Sequence, residues 1–327
     1  MTEEPHLNQE VRKIRPSHIT ANIFMLFLLC FNILLTLAIG TFYWEFWHGT
    51  AVGGVLRSPW WLVGNQILGL LVPMFVFSCF GKLHASGDCE SPLDEQFRFG
   101  VNIVNIVLVI AVSIMLQPAM MLVSALTSLL MPNPVTGLIS ELAVLPLPMA
   151  LIIVALTPAI CEEWVFRGYI LNKYEKQPIA VAAIINGLFF GIIHLNLHQF
   201  FYAFAMGIVF VFIVHFTRSI FSAVLAHFVV NAVQYTLGYM SIRYAGPVYD
   251  AGGNGELIAA IIALGHITML TLPLVAGLFY VMAKYNQWRY PDVGEKVQDM
   301  QYQNPLDIAF WLVLLVFGAI MVAVMLA

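Results

Sequence analysis

Apolar runs of twenty or more residues recur along the whole of this chain. A helix needs about 20 apolar residues to cross the hydrocarbon of a bilayer. Inside lipid every backbone N–H and C=O must find its partner, so such runs fold as helices. Nine candidate spans can be read, at about residues 20–44, 60–82, 100–130, 144–172, 178–196, 199–217, 219–241, 257–284 and 305–327. Composition agrees: 61% of residues are hydrophobic and 10% are charged, against about 25% charged in soluble domains. The expected fold is an all-α, polytopic transmembrane bundle of nine spans, with eight as the alternative. It comprises a cytoplasmic tail over residues 1–18 and one helical membrane domain over 19–327. The first run is too long for a signal-peptide core. Pro118 is expected to kink the third span, because it has no N–H to donate. Pro146 and Pro148 fall in the first turns of the fourth span, where proline is tolerated.

Lys and Arg accumulate on the cytoplasmic side of membrane proteins. With the N-terminus inside, nine spans put 12 of the 14 Lys and Arg residues inside and leave only Arg57 and Arg243 outside. That split includes Arg167, which falls within a span. The segment 83–99, with Asp88, Glu90, Asp94 and Glu95, reads as a cytoplasmic connector, and 243–256, rich in glycine, as an outer loop. Short polar loops and the lack of a retention signal point to a prokaryotic cell membrane.

The net charge of −4 supplies no basic patch for nucleic acid. The cysteines Cys30, Cys79, Cys89 and Cys161 have no metal-type spacing. No internal repeat is evident, which disfavours a secondary transporter. Tyr43, Trp44, Trp47, Trp60 and Trp61 read as interface anchors.

Ionisable groups at bilayer depth cost at least ~2.5–3.5 kcal/mol each, so they usually mark function. They concentrate between the fourth and seventh spans. In Glu162-Glu163-Trp164-Val165-Phe166-Arg167, adjacent glutamates point about 100° apart. Glu163 and Arg167, four apart, can neutralise each other. Glu162 is left without a local partner. A carboxylate stripped of water is a stronger base, which a general base needs to be. In Phe190-Gly191-Ile192-Ile193-His194, Phe190 and His194 share a face. Gly187 and Gly191 permit close helix approach, which could bring His194 near Glu162. In His227-Phe228-Val229-Val230-Asn231, His227 and Asn231 share a face and could donate hydrogen bonds to a developing oxyanion.

Plainer readings stand beside these. Glu163 with Arg167 is, taken alone, a structural pair. Asn231 alone would be interhelical glue, and His215 and His266 need only be helix-packing residues. His198 lies four from His194, a metal-type spacing, but its place at an outer turn fits plain solvent exposure. The argument for chemistry rests on a diacid, two histidines and an asparagine occurring together on nearby spans.

At these residues the chain resembles the CAAX-protease and bacteriocin-processing family, which includes the Ras-converting endopeptidase. That family shows EExxxR, FxxxH and HxxxN/D in this order on successive membrane helices, and Arg218-Ser219-Ile220 resembles its lead-in to the third motif. The resemblance covers about residues 145–240. It implies an intramembrane endopeptidase that hydrolyses a membrane-associated or lipidated peptide with a glutamate-activated water. Glu162 and His194 would hold and deprotonate the water. His227 and Asn231 would stabilise the oxyanion. Glu163, Arg167 and Phe190 would support the site. The implied partners are a prenylated or hydrophobic peptide, reached from lipid or cytoplasm, and the bilayer. Members have also been labelled metalloproteases. The metal-free reading, with no cofactor, is preferred because HExxH is absent. A zinc held by Glu162, His194 and His227 remains the alternative. A non-enzymatic immunity or scaffold protein, or a proton-coupled transporter, are the readings from other classes. The endopeptidase reading requires the four catalytic side chains to meet in one cavity.

Overall fold

In the computed structural model, residues 17–43, 46, 48–84, 100–174, 177–245, 254–287 and 304–326 are described. The tail before residue 17, the connector at 85–99 with Cys89, Trp44, Trp47 and most of the 243–256 loop lie outside them. Among the described residues there is no β-strand. Eight helices are long and apolar enough to cross a membrane, so this is an integral membrane protein. We label the helices α1 (His18–Phe42), α2 (Trp60–Cys79), α3 (Ile103–Ser128), α4 (Leu147–Tyr174), α5 (Ile179–Ile192), α6 (Leu197–Thr217), α7 (Ile220–Tyr244), α8 (Gly255–Tyr285) and α9 (Ile308–Leu326).

The fifth span is the one that departs from its expected length. α5 has 14 residues, which at ~1.5 Å per residue is shorter than the ~30 Å of hydrocarbon. It packs antiparallel along α6 and finishes beside the start of that helix. A Cβ on Gly187 would lie 2.8 Å from the Phe204 carbonyl oxygen, and one on Gly191 2.9 Å from that of Phe200. A Cβ on Gly207 would lie 2.6 Å from the Cα of Gly187. The glycine approach therefore serves the α5–α6 hairpin, not the contact with α4 expected from sequence.

Prolines shape the other helices. α3 is interrupted at Leu116, just before Pro118, so the expected break is present. In α2 and α4 a widened π turn precedes a proline: Ile67–Leu71 before Pro73, and Ile152–Leu156 before Pro158. Each proline lacks the N–H that would bond the carbonyl four residues back. Those carbonyls belong to Gly69 and Val154. An asparagine from a neighbouring helix answers each one. Asn32 Nδ2 donates to the Gly69 oxygen at 2.9 Å, and Asn231 Nδ2 to the Val154 oxygen at 3.3 Å. Repair from a neighbouring helix is what hydrocarbon demands, since no water can do it.

The bundle has two distinct ends. At the proximal end, where α1 begins, Tyr174 donates to Asn22, and Asn22 donates to the Pro305 carbonyl at 2.9 Å. Asn105 and Asn286 exchange amide hydrogen bonds at 2.9 Å there. At the distal end, Ser128 meets His198 at 3.1 Å and the side chain of Ile139 packs on Gly238. A short helix, Pro134–Leu142, lies at the distal end between α3 and α4. Leu34, Phe75, Ile103, Met269, Leu270 and Leu315 point outward, uncovered by protein, as lipid-facing residues do. The core is aromatic, built around Phe24, Phe166, Phe189, Phe190 and Phe210.

Candidate active site

α4 carries its charges at mid-depth. Glu162, Glu163 and Arg167 are all buried, and a π turn over Trp164–Ile170 begins directly after the glutamates. Such turns are frequent at functional positions. Arg167 Nη1 bonds Glu163 Oε1 at 2.9 Å, and Nη2 donates to the Gly207 carbonyl at 3.0 Å. The guanidinium also lies over two rings, 4.5 Å from Phe190 and 5.1 Å from Phe210. Aromatic faces and a counter-charge together make a buried arginine tolerable. Phe190 thereby acquires a physical reason for its place four residues before His194. It also meets His194 and His227 edge-on, at 5.3 and 5.7 Å between centroids.

Glu163 is more than the partner of Arg167. Its Oε1 also lies 2.8 Å from His227 Nδ1. A carboxylate oxygen accepts, so Nδ1 carries a proton and points it at Glu163. The other ring nitrogen, Nε2, stands 4.0 Å from Glu162 Oε2. His227 thus links the two carboxylates, stacked on Phe210 at 5.3 Å.

His194 is oriented by backbone. Its Nδ1 lies 2.7 Å from the Phe190 carbonyl oxygen, which can only accept. The proton sits on Nδ1, which leaves Nε2 as the ring nitrogen available to a ligand. The chain turns sharply just after it, through a left-handed Leu195 at φ 51°.

Glu162 does have a partner, and it is remote in sequence. Gln66 Nε2, on α2, donates to Glu162 Oε1 at 2.9 Å. Glu162 Oε2 is buried and has no hydrogen-bond partner among the described residues. An orphaned buried oxygen of this kind calls for an explanation.

The four side chains meet. Glu162, His194, His227 and Asn231 all line one cavity of about 240 Å³. Phe190 and Gln66 line it as well, with Leu138 and Ile139 of the Pro134–Leu142 helix at its rim. Glu163 and Arg167 do not line it: Glu163 is bonded to His227, and Arg167 to Glu163. His198 is not exposed as expected. It is buried at the first turn of α6 and held by Ser128. His266 bonds the Ile262 carbonyl of its own helix. Among the described residues, no three His, Cys, Asp or Glu side chains are grouped as metal ligands.

Sequence reasoning missed Gln66, Phe210 and Gly207. Gln66 follows Asn65 inside an apolar run, a signal of the kind that singled out Glu162. Phe210 and Gly207 carry no such mark.

A polytopic helical bundle whose cavity brings buried polar side chains together at mid-depth defines the class: an integral membrane protein with a buried site. Comparison with known proteins narrows it. Residues 144–233 match the sequence model of the Type II CAAX prenyl endopeptidase Rce1-like family. Over 85 residues the chain is 33% identical to a Bacillus subtilis (strain 168) protein described as "Putative membrane peptidase YdiL", covering 26% of this chain and 35% of that protein. The chain thus matches about a third of the length of that curated relative. No solved structure matches it significantly. The resemblance to the CAAX endopeptidases is therefore shown over residues 144–233, which hold Glu162, His194, His227 and Asn231 but not Asn65, Gln66, Gln234 or Tyr235 of the cavity wall.

Proposed function

We propose that the protein is an intramembrane endopeptidase in which Glu162 activates the attacking water. The observation that carries this is that Glu162, buried with an unpaired Oε2, lines the same cavity as His194. A water between them would give one proton to Glu162 while its oxygen attacks the peptide carbonyl carbon. The carbonyl oxygen becomes an oxyanion. Asn231 retains a second N–H for it, and His227 can donate from Nε2 when its ring is protonated. Collapse breaks the C–N bond, and Glu162 passes its proton to the leaving amine.

Charge favours this sequence. Two buried carboxylates face one guanidinium, so the cluster reaches neutrality by gaining one proton. A proton on His227 Nε2 supplies it and readies that nitrogen for the oxyanion. The reaction as written needs no metal, and a chelator is expected to leave the rate unchanged.

The substrate is a peptide or protein segment associated with the membrane, hydrophobic or lipidated. Purified protein in nanodiscs, incubated with prenylated and unprenylated peptides, tests the reading. Cleavage lost in Glu162→Gln and His194→Ala at unchanged melting temperature supports it. Wild-type rates in Glu162→Gln would falsify it. Loss of melting temperature with no cleavage by the wild type would instead favour a binding or scaffold role.

A further inference from the structure

The cavity lies in one half of the bundle. On every helix that lines it, the lining residues sit from mid-depth toward the distal end. α2 contributes Asn65 and Gln66 from its first turns, and α6 contributes Gln199 and Tyr202 from its start. α5 contributes Phe190 and His194 at its finish, and the Pro134–Leu142 helix forms the rim. Glu162 stands near the middle of α4 and, with Arg167 behind it, closes the floor. The proximal half beyond the floor is packed with Phe24, Phe166, Tyr169 and Ile170.

The two ends differ sharply in cations. Arg57 and Arg243 belong to the distal end. Lys82, Lys173, Arg218 and Lys284 belong to the proximal end; in the sequence Arg98, Lys176, Arg289 and Lys296 fall in segments that join proximal helix ends, and Arg12, Lys13 and Arg15 precede α1. With Arg167 inside the bundle, 4 described Lys and Arg residues are proximal against 2 distal, and by chain order the other 7 of the 14 fall in segments that join or precede proximal helix ends. Short-loop asymmetry of this size sets orientation with the cation-rich end in the cytoplasm. The antiparallel packing of α5 on α6 keeps the assignment consistent although α5 is short.

We propose that the cavity opens to the extracytoplasmic face, and that its substrate is a peptide segment emerging on the outer side of the membrane. This rests on the endopeptidase reading for the word substrate, but the sidedness stands on geometry and charge alone. It departs from the cytoplasmic or lipid access expected from sequence, and it makes a cytosolic prenylated C-terminus the wrong ligand.

Single cysteines decide it, with the native cysteines replaced by serine. Thr136→Cys lies on the rim and Asn65→Cys in the cavity wall, both at exposed positions, and Lys284→Cys is the exposed proximal control. With a membrane-impermeant maleimide on intact cells, the first two should label as fully as after permeabilisation, while Lys284→Cys should label only after it. The reverse pattern overturns the proposal. Labelling needs no cleavage, so a protein that labels from outside yet cleaves nothing defeats the protease reading and leaves sidedness intact. If the purified protein cleaves a charged, non-permeant peptide, sealed right-side-out vesicles should cleave it and sealed inverted vesicles should not. The opposite result overturns the proposal while leaving proteolysis established.

Discussion

Two helices of this bundle are broken in the same way, to different ends. In α2, Pro73 frees the Gly69 carbonyl and Asn32 caps it. In α4, Pro158 frees the Val154 carbonyl and Asn231 caps it. The first repair joins α1 to α2 and does not line the cavity. The second faces the cavity, four residues from Glu162 on one side and one helical turn from His227 on the other. A proline with its asparagine is thus a general way to mend a membrane helix, and the α4 copy sits where a mending group could also serve chemistry. Asn231 is in this sense a residue with a structural duty and a proposed catalytic one.

The largest effect belongs to the floor of the cavity, where Gln66 of α2 bonds Glu162. Glu162→Gln keeps shape and the Gln66 contact but removes the base. Cleavage should fall by about 10²–10⁴-fold, the usual contribution of a general base. Circular dichroism and melting should be unchanged. Asn231→Ala comes next, with a loss of about 10²–10³-fold in kcat from the missing oxyanion donor. It should also lower stability. The variant Pro158→Ala/Asn231→Ala restores a backbone donor to α4 and should recover stability but not rate. Recovery of both would reduce Asn231 to a helix-mending residue.

Gln66→Leu is the third, and smaller. A hydrogen bond to a charged group is worth about 1.5–3 kcal/mol, but Glu162 can turn to other partners once it is lost. We expect roughly a tenfold fall in kcat with KM unchanged. A change in KM alone would place Gln66 in substrate binding. This prediction sharpens the contrast, because it asks whether a helix outside the family-matched segment helps set the chemistry.

Much of this was legible in the sequence, for a physical reason. Apolar runs read directly as helices because hydrocarbon leaves no other choice, and the described spans end within a few residues of where hydropathy puts them. Glu162, His194, His227 and Asn231 stood out because polar groups at that depth are costly. What was hidden depends on which helix faces which. The Gln66–Glu162 bond spans 96 residues and leaves no local pattern. Gly187 and Gly191 announced a close approach without naming its partner, which is α6. His198 looked exposed because a turn was nearby, yet Ser128 of a distant helix buries it. The side of the membrane on which the cavity opens needed both the fold and the charge count.

Asn32→Ala should have the smallest effect, and it is the control on which the comparison turns. Asn32 Nδ2 also reaches the Leu28 carbonyl of its own helix at 2.9 Å, so its loss strands the Gly69 oxygen and little else. Side-chain hydrogen bonds between membrane helices average ~0.6 kcal/mol, with a ceiling near ~1.7. Reversible unfolding in detergent should therefore register a modest loss, with kcat and KM at wild-type values. Introducing Pro73→Ala gives α2 the N–H it lacks, and in that background Asn32→Ala should cost less than it does alone. The difference between the two costs is the coupling of proline and asparagine, measured as a double-mutant cycle. The same cycle run on Pro158 and Asn231 should return a similar coupling in stability. It should return none in rate, because restoring a backbone bond in α4 does nothing for an oxyanion.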